Sequence, residues 1–104
     1  MGRLIEVANI SMCPSPMTVH VGDVLLFRAA GGLVLSGNDA IELLGAFVTA
    51  VVGTDGSIVS PAGLPNAVLY RARGAGKSRI EVVTGEVFHS PQQTELDINV
   101  KSAD

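Results

Sequence analysis

The sequence predicts an all-β protein, an antiparallel sandwich of about seven strands, on the strength of three observations. Three runs in the last third of the chain, residues 67–73, 78–84 and 95–101, alternate apolar and polar side chains, as half-buried strands do. A glycine-containing segment, residues 74–77, separates the first two runs. The apolar residues are mostly Val, Leu, Ile and Ala, which suit sheets, whereas aromatic residues make up only 4% of the chain.

Length and composition indicate one folded domain. A chain of 104 residues has the usual length of a single domain, so we expect one domain over residues 1–104. Hydrophobic residues make up 47% of the chain, which is enough for a sizeable core. A single cysteine, Cys13, excludes an internal disulfide. We expect no transmembrane segment, because no apolar run approaches the roughly 20 residues that a spanning helix needs.

The charge distribution argues against a nucleic-acid partner. The formal net charge is −3, whereas binding to phosphates requires clustered cations. The main basic cluster is interrupted by apolar and small residues, which is typical of a solvated sheet face. Its members are Arg71, Arg73, Lys77 and Arg79.

The first third of the chain predicts two or three strands. Residues 4–10 read as a first strand, which the prolines within residues 13–16 interrupt. Residues 17–29 read as an edge strand and a longer buried strand, with a bend or bulge at residues 22–23. The glycine pair at residues 31–32 is expected to end the buried strand.

The middle of the chain is ambiguous between helix and strand. Asp39 followed by Glu42 is the spacing of a helix N-terminus, which favours a short helical turn over residues 39–44. An Asp-Gly turn within residues 54–57 is typical of a hairpin and favours a strand over residues 47–52. We therefore expect a strand there and leave residues 39–44 open.

Several short strands with frequent turn signals and no long helix indicate an immunoglobulin-like Greek-key sandwich. In such folds the connecting loops carry the function. Within the loop of residues 85–93, residues 87–93 combine an apolar anchor with polar neighbours, a mixture found at binding hot spots. Residues 60–66 form a second loop on composition, which lies at the same end if the topology is the one proposed. The predicted binding residues are Leu64, Pro65, Asn66, Phe88, His89, Ser90 and Pro91.

The residue types needed for catalysis or metal binding are not grouped in the sequence. Cys13 is more typical of a small core residue than of an activated thiolate, and His20 lies between two valines and should face solvent. His89, beside Phe88, is the better functional candidate. The acidic residues form no metal-binding or paired-carboxylate pattern. We predict a protein that is not an enzyme and uses no metal or cofactor.

The apolar spacing over residues 19–25, 68–72, 80–82 and 96–100, with glycines in residues 74–76, resembles bacterial immunoglobulin-like domains. Within that group it looks most like the chagasin-type inhibitors of papain-family cysteine peptidases. The resemblance implies an immunoglobulin-like sandwich whose three loops at one end wedge into a peptidase cleft. It also implies an extracellular or periplasmic location.

The inhibitory loop motifs of that family are largely absent. Residues 31–37 stand near the family's Asn-Pro-Thr-Thr-Gly loop, and residues 62–64 stand for its glycine-rich second loop. Of the third loop, which begins with Arg-Pro and an aromatic residue, only Phe88 is present. Two functions therefore stay open. The first is a binding or structural module of a larger bacterial protein that recognises a protein or glycan through its loops, and the alternative is a chagasin-like peptidase inhibitor.

A second resemblance is to cupredoxins, whose opening strands are similar to residues 5–10 and 19–27. A blue-copper site needs two histidines, a cysteine thiolate and usually an axial methionine. Cys13 is N-terminal here, and His89 has neither cysteine nor methionine nearby in the sequence. We therefore expect no copper site.

The strand assignment at residues 95–101 can be tested by one substitution. Ile98 should face the core, so Ile98→Asp would bury an unpaired charge and lower the free energy of unfolding by several kcal/mol. A thermal melt measures the effect. A melting temperature within a degree or two of the parent protein would contradict the assignment.

Overall fold

The structure is a computed structural model that describes residues 2–7, 15–48, 51–52, 54–56, 58–59, 66–84 and 91–102. It confirms the predicted fold class, because these residues form two packed four-stranded sheets and a small two-stranded hairpin. They contain no helix, and so none that could cross a membrane. The strands are β1 (Leu4–Val7), β2 (Met17–His20), β3 (Val24–Phe27), β4 (Gly31–Ser36), β5 (Ile41–Phe47), β6 (Val51–Val52), β7 (Ile58–Val59), β8 (Ala67–Ala72), β9 (Gly76–Thr84) and β10 (Gln92–Lys101).

The first sheet has the order β1-β3-β8-β5, and the second has the order β2-β10-β9-β4. The two N-terminal strands pair in parallel, β1 with β3 and β2 with β10, and the other neighbours are antiparallel. Although β8 and β9 are consecutive in the chain, they lie in different sheets. The alternation predicted for the last strand is confirmed, because Leu96, Ile98 and Val100 are buried.

Tyr70 joins the two sheets through the core. Its side chain is fully buried, and its ring packs edge-on against Phe27 with 5.7 Å between ring centroids and an interplanar angle of 88°. The Tyr70 hydroxyl donates a hydrogen bond to the Glu81 carbonyl on β9 at 2.8 Å and lies 3.3 Å from the Leu33 carbonyl on β4. Burial raises the pKa of Tyr70 to about 12, so the phenol stays a neutral donor at physiological pH.

The glycine pair at residues 31–32 begins β4, so the expectation that it ends the preceding strand is wrong. A Cβ at Gly32 would lie 2.0 Å from the Tyr70 hydroxyl oxygen, whereas a Cβ at Gly31 would meet nothing within 4 Å. Gly32 is therefore the point at which the tip of the tyrosine reaches the backbone of the second sheet. A glycine inside a strand often marks such a close approach.

Residues 39–44, which the sequence leaves open between helix and strand, contain no helix, and β5 begins at Ile41. The N–H groups of Ala40 and Ile41 both donate to the Gly37 carbonyl, at 2.9 and 3.2 Å, which makes a turn that leads straight into β5. Ile41 is buried and pairs with Ala72 on β8. Pairing with β8 therefore outweighs the local helix signal at Asp39, as tertiary context commonly does.

The remaining strand predictions are confirmed in part. The bend at residues 22–23 separates β2 from β3, and Gly56 has a φ of +85° in the turn between β6 and β7, as an Asp-Gly hairpin turn requires. The strand expected over residues 47–52 is divided, since β5 ends at Phe47 and residues 51–52 belong to the separate hairpin. Residues 8–14 lie outside the described part of the chain.

The adjacent glycines of β4 offer a matched test of the tyrosine contact. Gly32→Ala should lower the free energy of unfolding by about 2–3 kcal/mol, because the new methyl group must displace the buried Tyr70 hydroxyl from its acceptor. Gly31→Ala, one residue away in open space, should stay within about 0.5 kcal/mol of the parent protein. Urea denaturation measures both values, and equal effects of the two substitutions would contradict this role of Gly32.

Candidate functional site

Strand pairing brings two connections of the first sheet to one end of the sandwich, which we call the loop end. Phe27 at the end of β3 pairs with Val68, and Phe47 at the end of β5 pairs with Ala67 at the start of β8. The chain that leaves β3 and the long connection from β5 to β8, residues 48–66, therefore start or finish at the same end.

The second sheet contributes a further connection at this end. Thr84, the last residue of β9, pairs with Gln92, the first residue of β10. Gly31, where β4 begins, pairs with Val83 beside them, and the Ala30 N–H donates to the Val83 carbonyl at 2.9 Å. Residues 28–30, which cross from β3 to β4, thus hold the ends of the two sheets together.

The described part of the chain includes two of the seven predicted binding residues. Asn66 is exposed at the start of β8, where its N–H donates to the Phe47 carbonyl at 2.9 Å. Pro91 is exposed immediately before β10. Both lie at the loop end, Asn66 next to an inner strand of the first sheet and Pro91 next to an inner strand of the second. The other five, Leu64, Pro65, Phe88, His89 and Ser90, lie outside the described residues.

The connection at residues 28–30 is short and held in place. Arg28 pairs with Glu6 on β1 at 2.6 Å, and Ala29 is buried in the core. The comparison of residues 31–37 with the first loop of the chagasin family is therefore wrong. Residues 31–36 are a strand, and Gly37 follows at the end of the sandwich opposite the loop end. The apolar pattern continues through Ala29 without a turn signal, so the sequence does not mark this crossing.

The loop end also carries an apolar surface that the sequence analysis missed. Phe47 is 45% exposed and Val48 is 37% exposed where β5 ends. The sequence analysis placed both in a strand of residues 47–52, for which no face could be assigned. The hydrogen bond from the Asn66 N–H to the Phe47 carbonyl makes Phe47 a neighbour of one predicted binding residue, Asn66.

Asp23 is the buried carboxylate of the described residues, and it lies at the opposite end from the loops. It accepts hydrogen bonds from the backbone N–H of His20 at 2.9 Å and of Arg3 at 3.0 Å, and from the Arg3 guanidinium at 3.1 Å. Burial alone would raise the pKa of Asp23, but these donors together lower it to about 2. The carboxylate ties β1, β2 and β3 together, so its role is structural rather than catalytic.

The described residues hold no group of three or more His, Cys, Asp and Glu side chains that could bind a metal ion. His20 is exposed on the edge strand β2, as predicted, and its backbone N–H donates a hydrogen bond to the Asp23 carboxylate. Cys13 and His89 lie outside the described residues. The described surface at the loop end includes the apolar and uncharged polar residues Phe47, Asn66 and Pro91, which are all exposed.

Comparison with known proteins finds several solved structures of the same fold, and two of them are described here. One is the solution structure of amebosin, with a TM-score of 0.54 and 14% sequence identity over 95% of this chain and 98% of that chain. The other is the crystal structure of the cysteine protease inhibitor EhICP2 from Entamoeba histolytica, with a TM-score of 0.52 and 9% identity over 96% and 95% of the two chains. No family model and no curated protein sequence matches.

These similarities extend over nearly the whole of each chain, so they concern the complete sandwich rather than a shared sheet. At this level of identity they establish a common fold. The scaffold resemblance to a cysteine protease inhibitor is thus supported by the structure comparison as well as by the sequence.

The low pKa of Asp23 predicts a loss of stability in acid. The folded protein holds this proton more weakly than the unfolded chain, whose pKa is near the ordinary 3.8. The stabilisation that the ionised carboxylate provides is therefore complete above about pH 5 and is lost as the pH falls towards 2. We expect the free energy of unfolding to fall by about 1–2 kcal/mol from this group, since the Arg3 partner is largely exposed.

Urea denaturation between pH 6 and pH 2 measures this effect in the parent protein, in Asp23→Asn and in Arg3→Ala. The difference between the parent protein and Asp23→Asn should narrow as the pH falls. Arg3→Ala removes the guanidinium but keeps both backbone donors, so its loss should be smaller. A difference that stays constant with pH would contradict the assignment.

Proposed function

We propose that this protein inhibits papain-family cysteine peptidases by blocking their substrate cleft with its loop end. The observation that carries the proposal is the similarity of the entire sandwich to the cysteine protease inhibitor EhICP2. The sequence resemblance to chagasin-type inhibitors, which rests on scaffold positions, supports the same function independently of the coordinates. Of the two functions that the sequence leaves open, the comparison favours the inhibitor.

The geometry of the loop end supports such a role. An inhibitor that blocks a cleft without covalent chemistry needs projecting segments on a rigid base, because ordering flexible loops on binding costs free energy. Here the base is formed by paired strand ends, such as Phe47 with Ala67 and Thr84 with Gln92. The two long connections, residues 48–66 and 85–91, start from that base.

Because the connection at residues 28–30 is short, it cannot contact a partner in the way that the two long connections can. It cannot project, because Ala29 is buried and Arg28 is paired with Glu6. Contact with a peptidase would then depend on the two long connections and on their exposed flanks, Phe47 and Pro91. In this proposal Phe88 provides the apolar anchor, with His89 and Ser90 as polar neighbours around it, the usual arrangement of a binding hot spot.

The wider interpretation, a module that recognises some other protein or a glycan, uses the same loops. It differs from the inhibitor only in the partner, since neither interpretation requires catalysis or a cofactor. Because the structure is similar to EhICP2, a cysteine peptidase is the first partner to test.

Titration of papain with the purified chain, using a fluorogenic peptide substrate, tests the proposal directly. Activity should fall with an inhibition constant below about 1 µM, because peptidase–inhibitor interfaces are among the tighter ones of their size. Phe88→Ala should raise that constant about tenfold or more, as the loss of a hot-spot anchor does.

Asn38→Ala is the matched control, since Asn38 is an exposed residue in the β4–β5 turn at the opposite end of the sandwich. It should change the inhibition constant by less than about twofold, as a surface residue outside the interface does. Full papain activity at about 10 µM protein would remove the proposed function. Equal losses in both variants would show that the loop end is not the inhibitory surface.

A further inference from the structure

The basic cluster of the sequence is divided between the two sheets. Arg71 and Arg73 both pair with one carboxylate, Glu42 on β5 of the first sheet. Lys77 and Arg79 belong to β9, which lies in the second sheet although it follows β8 in the chain. Half of the cluster therefore lies on a separate surface, which Glu42 does not reach.

On that surface Lys77 and Arg79 line a polar groove. Ser78 between them is buried, so both cations point to the outer face of the second sheet. On β10, Asp97 and Asn99 alternate with buried residues in the same way, and each pairs across the strands with one of the cations. The groove has a volume of about 450 Å³, within the range of small-molecule sites. Its remaining lining residues are Pro16, Ser36 and Ser78.

One wall of the groove is a bulge in the edge strand β4. The register of β4 against β9 shifts just before Ser36, which puts Ser36 opposite Arg79. From beneath, the buried Ser78 hydroxyl donates a hydrogen bond to the Ser36 carbonyl at 2.8 Å. Gly37 follows with a φ of +76°, and a Cβ there would lie 2.3 Å from the Lys77 carbonyl oxygen. The bulge is therefore fixed against β9, and such bulges are frequent beside functional sites.

The opposite wall is Pro16, which directly precedes the other edge strand, β2. The Asp97 N–H donates a hydrogen bond to the Ser15 hydroxyl at 3.3 Å, which fastens this segment to β10. Pro16 is exposed, so its ring adds a small apolar surface to a polar groove. Because the chain itself holds both walls, a ligand does not have to order them on binding.

Three polar side chains of the groove have no partner within the described part of the chain. Arg79 is held between Glu95 at 3.3 Å and Asp97 at 3.6 Å. The Lys77 ammonium group, the Ser36 hydroxyl and the half-buried Asn99 amide make no such contact with described residues. An amide carries both donors and an acceptor, so Asn99 suits a ligand that also offers both.

These groups together define the chemistry of the ligand. A hydroxyl can donate to Asp97 and accept from Arg79, so adjacent hydroxyls on a ring match the floor of the groove. Negative charge on the ligand belongs at Lys77, which has no carboxylate partner among the described residues. An extended peptide would need an open strand edge, whereas this floor consists of two inner strands, β9 and β10.

We propose that this groove binds a uronic acid, a sugar that carries a carboxylate. The carboxylate lies at Lys77, ring hydroxyls bond to Asn99 and Asp97, and the Pro16 ring covers a C–H face of the sugar. The groove lies on a face of the sandwich and not at the loop end, so the proposal does not depend on peptidase inhibition.

NMR titration of the nitrogen-15-labelled complete chain with glucuronate and with galacturonate tests the proposal at neutral pH. The backbone amide signals of Lys77, Asp97 and Asn99 should shift with at least one of the two sugars. The dissociation constant should be about 10 mM or below, as weak contacts in an open groove provide. Glucose and acetate, which supply the hydroxyls and the carboxylate separately, should each bind at least fivefold more weakly.

Lys77→Ala should weaken uronate binding at least fivefold, because the cation that faces the carboxylate is lost. Lys101→Ala is the matched control, since Lys101 is an exposed lysine on β10 of the same sheet that does not line the groove. It should leave the dissociation constant within a factor of two. Unchanged signals from the rest of the chain show that both variants stay folded.

Three results would overturn the proposal. The first is the absence of any shift with either uronate at about 50 mM. The second is binding of glucose or acetate as tight as that of the uronates, and the third is an equal loss of binding in the two lysine variants.

Discussion

The sandwich depends on one hydrogen bond across its core, from the Tyr70 hydroxyl to the Glu81 carbonyl. Apolar contacts between two sheets fix their separation but tolerate sliding, since the hydrophobic effect has no direction. A buried hydroxyl needs a partner, and losing that partner costs about 1–3 kcal/mol. Because this hydroxyl can reach the second sheet only where Gly32 leaves room, the bond sets the position of one sheet against the other. It thereby sets which strand ends meet at the loop end.

The two ends of the sandwich are built for different purposes. At one end the carboxylate of Asp23 links β1, β2 and β3 by accepting three hydrogen bonds. Beside it, the Gly22 N–H donates to the Ala72 carbonyl on β8, and the Ala72 N–H donates to the Asp23 carbonyl. At the other end residues 28–30 join the sheets, while two long connections start from paired strand ends. Stability is thus concentrated away from the surface proposed for binding, which leaves the sequence of the long connections free to serve recognition. The same separation explains why one fold can carry different binding properties.

The sequence predicted correctly those features of the fold that are determined by residues close together in the chain. The alternation of Leu96, Ile98 and Val100, the bend at Gly22 and the Asp-Gly hairpin turn follow from side-chain period and backbone freedom, so the sequence was sufficient. The errors lie where a distant residue decides. From its neighbours in the sequence, Gly32 cannot be distinguished from a glycine that ends a strand. Its role depends on contact with the Tyr70 hydroxyl, 38 positions later in the sequence.

The same limit applies to the site. Sequence composition could point to residues 60–66 and 85–93 as loops suited to binding, and strand pairing now brings Asn66 and Pro91 to one end of the fold. The sequence could not reveal that the crossing at residues 28–30 is too short to project, because the apolar Ala29 is equally typical of a strand that continues. Nor could it assign Phe47 to the surface, because the bulge in β5 between Leu43 and Gly45 changes the face that later residues present.

The loop end and the core contact are physically continuous, which bears on any binding there. Phe27, whose ring packs edge-on against Tyr70, is the last residue of β3 and directly precedes the crossing at residues 28–30. In that crossing the Ala30 N–H donates a hydrogen bond to the Val83 carbonyl. Val83 lies two residues beyond Glu81, whose carbonyl accepts the hydrogen bond from Tyr70. A chain of buried contacts therefore runs from the centre of the sandwich to the strand ends from which the long connections start. A base held in this way does not have to be ordered when a partner arrives, so the free energy of loop contacts is kept for affinity.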